Sequence, residues 1–590
     1  MFERVEKKVK KKENTNEKKD TKIVGAKNTK GAKGIGAVVV LIVLLGLIFR
    51  LIGIQHGFPF IFHPDEPTII RSALGVRFDP NPKHFDWPHF YIYLNYFLYM
   101  IFAKIRGLFT SFGMQNKLAE LFPLMWDEDL IYYYLTRCFS AILGAFTAVP
   151  VFLATKELFG KKAGVLAALT MTILPYHVWH SHYALGDVPM AFLLAWAFYF
   201  SALIMKKPDR KNYILSGLFV GFSASVKYNG GLSAIMVPAA HFLRIFYERY
   251  KRHKLNAGEN LGKNEKDFLE PKIIDKNEII NLVLSGVFAL LGFLIGTPYA
   301  LLDFKTFSRT DGPQGAFWQF TNVGSVGFET HVSKFFSESF GRVLVDTGYV
   351  VTPVYFLVLG FLIYRIVKKK TEREEFALSF VYIVSLFLLW YLSGFKNNRS
   401  HYYFVIYPYL AVTFGFFCAF LHNKIKSWAS GWRGISRRDG SRDSESAPDG
   451  KLISKILPSA FLVIIMSPLF VNSCVNAYKY HNNDTRVYLY DWLIENYDPT
   501  EKLIYNDKVL KDVFGKIGIN GVKGLNNFDD YQKALVVIYE PGEDEEKFLK
   551  KNGSVLREVA FFDSKWKLGS DIVVYRYESP AKSSGCGCGK

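Results

Sequence analysis

The sequence predicts a polytopic α-helical membrane protein of about eleven transmembrane helices, followed by a small C-terminal α/β domain. Three observations carry this. Of 590 residues, 50% are hydrophobic and 16% aromatic, richer in both than a soluble enzyme of that size. The net charge is +20, but Lys and Arg gather in short blocks between long apolar runs. The last hundred or so residues lose the long apolar runs and alternate polar and apolar positions.

Residues 1–35 open with a Lys-rich polar arm, KKVKKKENTNEKKDTK, which predicts a disordered cytoplasmic segment. No small-residue cleavage site follows the first apolar run, so no cleavable leader is expected. Spanning-length apolar segments fall at 36–54, 131–154, 163–180, 188–205, 213–228, 230–247, 279–298, 347–367, 375–393, 402–421 and 453–472. A further run, WPHFYIYLNYFLYMIF at 87–102, is Tyr-rich. If it does not cross, the loops KELFGKK, KKPDRK, RYKRHK, RIVKKKTER and the stretch around ISRRDGSR all share the arm's side. The opposite loops are then poor in basic residues: HSHYALGD has none and GFKNNRSH two. The positive-inside rule therefore reads 87–102 as an interfacial or re-entrant helix within one outer loop, 55–130.

This topology leaves four segments outside the cytoplasm: loop 55–130, the loop around Asp187, the Gly-rich loop 299–346, and everything after about 473. In the last segment, DTRVYLYDWLIENY and EDEEKFLKK have helical spacing, and KLIYND, ALVVIYE and DIVVYRYE read as strands. That defines an extracytoplasmic α/β domain at 476–578, with a flexible tail at 579–590. Residues 251–277 and 423–451 read as polar cytoplasmic linkers. Cys138, Cys418 and Cys474 lie in or near apolar runs as filler, and Cys586 and Cys588 in the tail are too few for a closed zinc site. The basic blocks are loops rather than one face, which argues against nucleic acid, and no phosphate-binding glycine loop or dinucleotide fingerprint is present.

The outer side concentrates chemistry. In IFHPDEP, Asp65 and Glu66 sit between two prolines beside a hydrophobic span, where a carboxylate is costly unless paired or used. Asp65 also suits the cap of a helix beginning TIIRSALG, so capping and catalysis both stand. Asp187 precedes an apolar helix in HYALGDVPMAF, again as cap or site residue. Lys227 in ASVKYNGG and Arg399 in FKNNRSHYYF are outward cations; each either snorkels to headgroups or clamps a phosphate. His63, His89, His182 and His401 share that side, as ordinary interfacial residues or as partners of the acids on a metal. Trp87, Tyr91 and Tyr93 form an aromatic belt or a sugar-stacking surface.

The HPDEP loop after the first span resembles the first-loop acidic motif of the GT-C superfamily of membrane glycosyltransferases. That superfamily includes protein O-mannosyltransferases, lipid A aminoarabinose transferases and oligosaccharyltransferase catalytic subunits. The stretch RCFSAILGAFTAVPVFLATKELFGKKAGVLAALTMTILPYHVWHSHYALGDVPM resembles their second and third spans with the second acidic loop. GLFVGFSASVKYNGGLSAIMVPA and RSHYYFVIYPYLAV resemble later segments. The resemblance runs over about 35–475, and the mannosyltransferase-like (family 39-type) branch matches best, because Asp187 stands alone rather than in an Asp-x-Asp pair.

The resemblance implies a GT-C fold and sugar transfer from a polyprenyl-phosphate donor on the extracytoplasmic face of the cell membrane. Asp65, Glu66 and Asp187 would be the catalytic acids, with Asp65 as base of an inverting displacement. Lys227 and Arg399 would meet the donor phosphate. His63, Trp87, His89, His182, Tyr228 and Asn229 would contact sugar or acceptor. A divalent cation, if used, would take Asp65 and Asp187. Loop 299–346 has glycines suited to a lid. The acceptor is left open among protein, lipid and glycan. A flippase for lipid-linked glycan and a non-catalytic scaffold are the rival classes, and the clustering of charge at one face rather than at mid-membrane counts against the first.

Overall fold

A computed structural model describes residues 34–256, 276–436 and 450–579. The arm up to residue 33, the middle of both expected linkers and the tail with Cys586 and Cys588 lie outside the described residues.

Each of the eleven expected segments coincides with helix. Their lengths differ from expectation. Seven helices among the described residues are long and apolar enough to cross a membrane: Gly34–Leu51, Ile131–Phe159, Asp187–Ile204, Lys276–Gly296, Arg373–Ser393, Ser400–Ala429 and Ile456–His481. Val351–Val367 is a shorter apolar helix. The segment 163–180 is divided, because Pro175 drives Leu174 into an extended conformation (φ −71°, ψ 115°) between helices Lys161–Thr172 and Pro175–His180. The segment 230–247 begins as a tight 3₁₀ stretch, Tyr228–Ile235, containing two glycines, before helix Met236–Asn256. Helices Met236–Asn256 and Tyr407–Ser436 run on through polar sequence into the two segments expected as linkers. The run at 87–102 forms part of a 22-residue helix, Phe90–Ser111, which is not among the spanning candidates.

Packing follows from side-chain size. Helix Arg210–Val226 lies so close to Lys276–Gly296 that a Cβ on Gly217 would stand 2.1 Å from the Ser285 carbonyl oxygen. Small residues at such contacts let helix backbones approach where hydrocarbon offers no hydrophobic drive. The peripheral helices carry outward apolar stripes at helical spacing: Val40, Leu41, Leu44 and Ile48 on the first, and Val283, Val287, Leu290 and Leu291 on Lys276–Gly296. These faces suit lipid. Helices Asp187–Ile204 and Tyr407–Ser436 are central; Phe198 packs against the Phe380 and Tyr409 rings. Cys138, Cys418 and Cys474 are free thiols.

Helix Gly450–His481 runs through the expected domain boundary at 476 and ends at a turn where Asn483 adopts φ 62°. Asp484 then caps helix Thr485–Asn496 by accepting the Arg486 N–H. The strands are β1 (Lys502–Tyr505), β2 (Val522–Lys523), β3 (Lys533–Tyr539), β4 (Leu556–Phe562) and β5 (Ile572–Glu578), in the order β2-β1-β3-β5-β4. β1 is parallel to β2 and β3, whereas β5 is antiparallel to β3 and β4. β1, β3 and β5 are the three strands expected from sequence; β2 is too short and β4 too charged (LREVAFF) to stand out. In β3, Leu535 and Val537 enter one core layer and Ala534, Val536 and Ile538 the other, as the two-residue period of a strand requires.

Candidate active site

Four turns at helix ends converge on one cavity of about 590 Å³. Its wall includes Asp65, Asp86, Trp87, Lys227, Arg399 and His401. Tyr228, Asn229 and Tyr402 also line it, as do Gln319, Phe320 and Gly324 from loop 299–346.

Asp65 occupies the N-cap position of helix Glu66–Gly75, with a proline in the first turn. Its side chain makes no capping hydrogen bond, and Asp65 lines the cavity. Its N–H donates to His63 Nδ1 at 3.2 Å, and His63 lies against the Tyr183 ring at 4.9 Å. Burial lowers the His63 pKa, against the raising influence of Glu66 and Asp65.

Asp187 is the first residue of its helix and almost fully buried. Lys227 Nζ donates to its Oδ1 at 2.5 Å, and His180 Nε2 lies 3.2 Å from its Oδ2. Lys227 sits just past the end of helix Arg210–Val226, in an extended conformation that turns its side chain back to Asp187. The ammonium lies 5.7 Å from the Trp87 ring centroid and 5.5 Å from that of Tyr402. Two electron-rich rings and a carboxylate thus hold one cation at the cavity wall. His401 stacks on His180 at 5.7 Å.

Glu66 points elsewhere. It is fully buried; Arg137 Nε donates to Oε1 at 2.8 Å and a terminal guanidinium nitrogen to Oε2 at 2.7 Å. The Ala184 N–H also donates to Oε1, at 2.8 Å, and Arg137 donates to the His56 carbonyl at 2.8 Å. Glu66 therefore ties the two acidic loops together behind the cavity. His89 and His182 are likewise buried away from it. His89 hydrogen-bonds the His84 carbonyl at 2.9 Å, and burial depresses its pKa to about 4. His182 bridges the Val178 and Ile52 carbonyls at 3.0 and 3.1 Å, and burial likewise depresses its pKa to about 4. Tyr228 donates to the Phe85 carbonyl at 2.7 Å and Asn229 to that of Tyr402 at 3.2 Å.

The sequence reading did not single out Arg137, His180, Asp86 or Tyr402. Arg137 had a signal, an arginine inside an apolar span in RCFSAILGAF. Asp86 had none. Its Oδ1 is engaged by His84 Nδ1, whose other nitrogen meets Ser72 Oγ at 2.8 Å.

Among the described residues, no group of three or more His, Cys, Asp and Glu side chains is arranged to hold a metal ion. Both oxygens of Asp187 already face cationic or hydrogen-bonding nitrogen.

Fold and site define a multi-pass helical membrane protein with an acid-and-cation cavity. Residues 135–257 match the family described as Dolichyl-phosphate-mannose-protein mannosyltransferase, which bears out the GT-C, mannosyltransferase-like resemblance read from the sequence. Among solved structures, the chain is similar to the archaeal oligosaccharyltransferase AglB from Archaeoglobus fulgidus in complex with an inhibitory peptide and a dolichol-phosphate (14% identity, 86% of this chain and 69% of that one, TM-score 0.45). It is similar to ArnT from Cupriavidus metallidurans bound to undecaprenyl phosphate (12% identity, 92% and 98%, TM-score 0.43). It is also similar to the S. cerevisiae protein O-mannosyltransferase Pmt1–Pmt2 complex bound to the sugar donor (19% identity, 45% and 32%, TM-score 0.29). No curated protein sequence matches the chain.

Proposed function

We propose that the chain transfers a sugar from a polyprenyl-phosphate carrier to an acceptor hydroxyl on the extracytoplasmic face of the cell membrane, with its N-terminus cytoplasmic and its C-terminal domain outside. The family match over 135–257 supports glycosyl transfer in general. One observation supports the finer reading most: a single cavity brings the Asp65 carboxylate together with the Lys227 and Arg399 cations. An acid beside two cations suits a reaction in which a hydroxyl loses a proton and a phosphate leaves.

In this reading the acceptor oxygen bonds to the anomeric carbon as the bond from that carbon to the phosphate oxygen breaks. The electron pair leaves with the phosphate, whose charge Lys227 and Arg399 neutralise. Asp65 takes the hydroxyl proton, a role that contributes about 10²–10⁴-fold. A single displacement inverts the centre, as it does in inverting glycosidases. Asp187 holds Lys227 in place and does not itself meet the acceptor. Glu66 acts at one remove, through Arg137. The Trp87 and Tyr228 rings offer faces for the sugar, and the lipid tail keeps to the hydrocarbon beside the helices. Lys227 supplies positive charge next to Asp187.

The test is mass spectrometry of surface glycans and lipid-linked sugars in a deletion strain, re-expressing wild type or Asp65→Asn. The expected result is a missing sugar and accumulated donor, both corrected by wild type alone. A carrier trapped in the inner leaflet would instead support the flippase.

A further inference from the structure

The loop that carries Asp65 is rooted in a different domain. Phe60 is only 6% exposed, belongs to one buried cluster with Leu489, Leu535, Val537 and Val574 of the C-terminal domain, and meets the Tyr490 ring edge-on at 5.0 Å. Two residues on, Phe62 lies under the Arg486 guanidinium, whose central carbon is 3.5 Å from the ring centroid. Arg486 is itself fixed by two 2.8 Å hydrogen bonds to Asp484. Upstream, the Gly57 N–H donates to Asn483 Oδ1 at 2.7 Å. Gly53, at φ 71°, passes so near the end of the last helix that a Cβ would stand 2.3 Å from the Tyr480 carbonyl carbon.

The same junction reaches the second acidic loop. The Tyr480 hydroxyl donates to the Trp179 carbonyl at 2.9 Å, and its ring stacks on His182 at 3.7 Å, nearly parallel. None of Phe60, Phe62, Tyr480, Asn483 or Arg486 lines the cavity. Their contacts therefore serve the loops and not the substrate. A segment that lends an aromatic side chain to another domain's core moves only by opening that core. A guanidinium desolvated over a ring strengthens the tie.

We infer that the C-terminal domain is a clamp that sets the position of the HPDEP loop, with Arg486 and Asn483 as positioning residues acting through Phe62 and Gly57. The inference rests on the reading of Asp65 as the cavity's working acid. It gives the soluble domain a role within the site at which no residue of that domain is found.

Hydrogen exchange on the full-length protein in lipid nanodiscs tests it. In Arg486→Ala, exchange across 57–66 should rise about tenfold while the amides of β3 and β5 keep their protection. Arg486→Lys, which retains a cation over Phe62, should restore most of it. If Arg486→Ala opens β3 as well, Asn483→Gly decides the matter, since it removes the bond to Gly57 and suits the left-handed backbone there. Unchanged exchange across 57–66 in both variants would overturn the clamp. Native mass spectrometry of wild type with undecaprenyl phosphate tests the functional reading separately. Absent binding would count against carrier use and leave the exchange result standing.

Discussion

Lys227 and Asp187 are 40 positions apart in the chain, and the ammonium meets the carboxylate at 2.5 Å. One partner ends a helix and the other begins one. The pair is shielded on the aspartate side and open on the lysine side, where Lys227 faces the cavity. A cation held this way can meet an incoming anion without leaving its partner.

The first prediction concerns that pair. Lys227→Met leaves Asp187 buried without its cation and should lower stability by about 3 kcal/mol or more. Lys227→Met combined with Asp187→Leu should recover most of the loss, because no uncompensated charge remains. Carrier binding should stay lost in both. Thermal unfolding in detergent, with native mass spectrometry for undecaprenyl phosphate, reads the two effects apart.

Asp65→Asn should behave in the opposite way. Its side chain makes no capping bond, so thermal stability should stay within about 0.5 kcal/mol of wild type. Transfer should fall by about 10²–10⁴-fold, seen as donor accumulation in the complemented deletion strain.

Glu66→Gln should be a folding variant. It replaces one partner of a fully buried two-pronged ion pair and should cost about 3–5 kcal/mol. The measurement is the melting temperature, together with the yield of monodisperse protein. A stable but inactive Glu66→Gln would instead give Glu66 a direct part in the chemistry.

Asp346 predicts a pH effect. Burial raises its pKa from the usual 3.8 to about 6, with the Tyr407 hydroxyl 3.5 Å from Oδ2. The folded state therefore favours the protonated acid. Its contribution to stability is fully present below pH 3.8 and is lost as pH rises through about 6. Asp346→Asn should raise the melting temperature at pH 7.5, by the equivalent of about 1–3 kcal/mol, and leave it unchanged near pH 4. Melting curves of both proteins across that range give the result.

Much of this protein is written locally. Apolar runs of bilayer length became helices, because a backbone in hydrocarbon must satisfy its own hydrogen bonds. The spacing in DTRVYLYDWLIENY and the alternation in ALVVIYE produced the expected helix and strand. The sequence also marked Asp65, Lys227 and Arg399, since charge beside a membrane span is too costly to be idle. What it left open was decided by contacts between distant segments. Asp65 and Glu66 are adjacent in the chain, yet one lines the cavity and the other binds Arg137 behind it. No local pattern could separate them, because the choice depends on where the helix Ile131–Phe146 presents its arginine. Phe60 reads as one more apolar residue at the end of a span, and only the docked C-terminal domain gives it a core to enter. Periodicity and polarity act over a few residues and set the elements. Charge pairing and close packing act across space, and they decided which of the neighbouring acids lines the cavity.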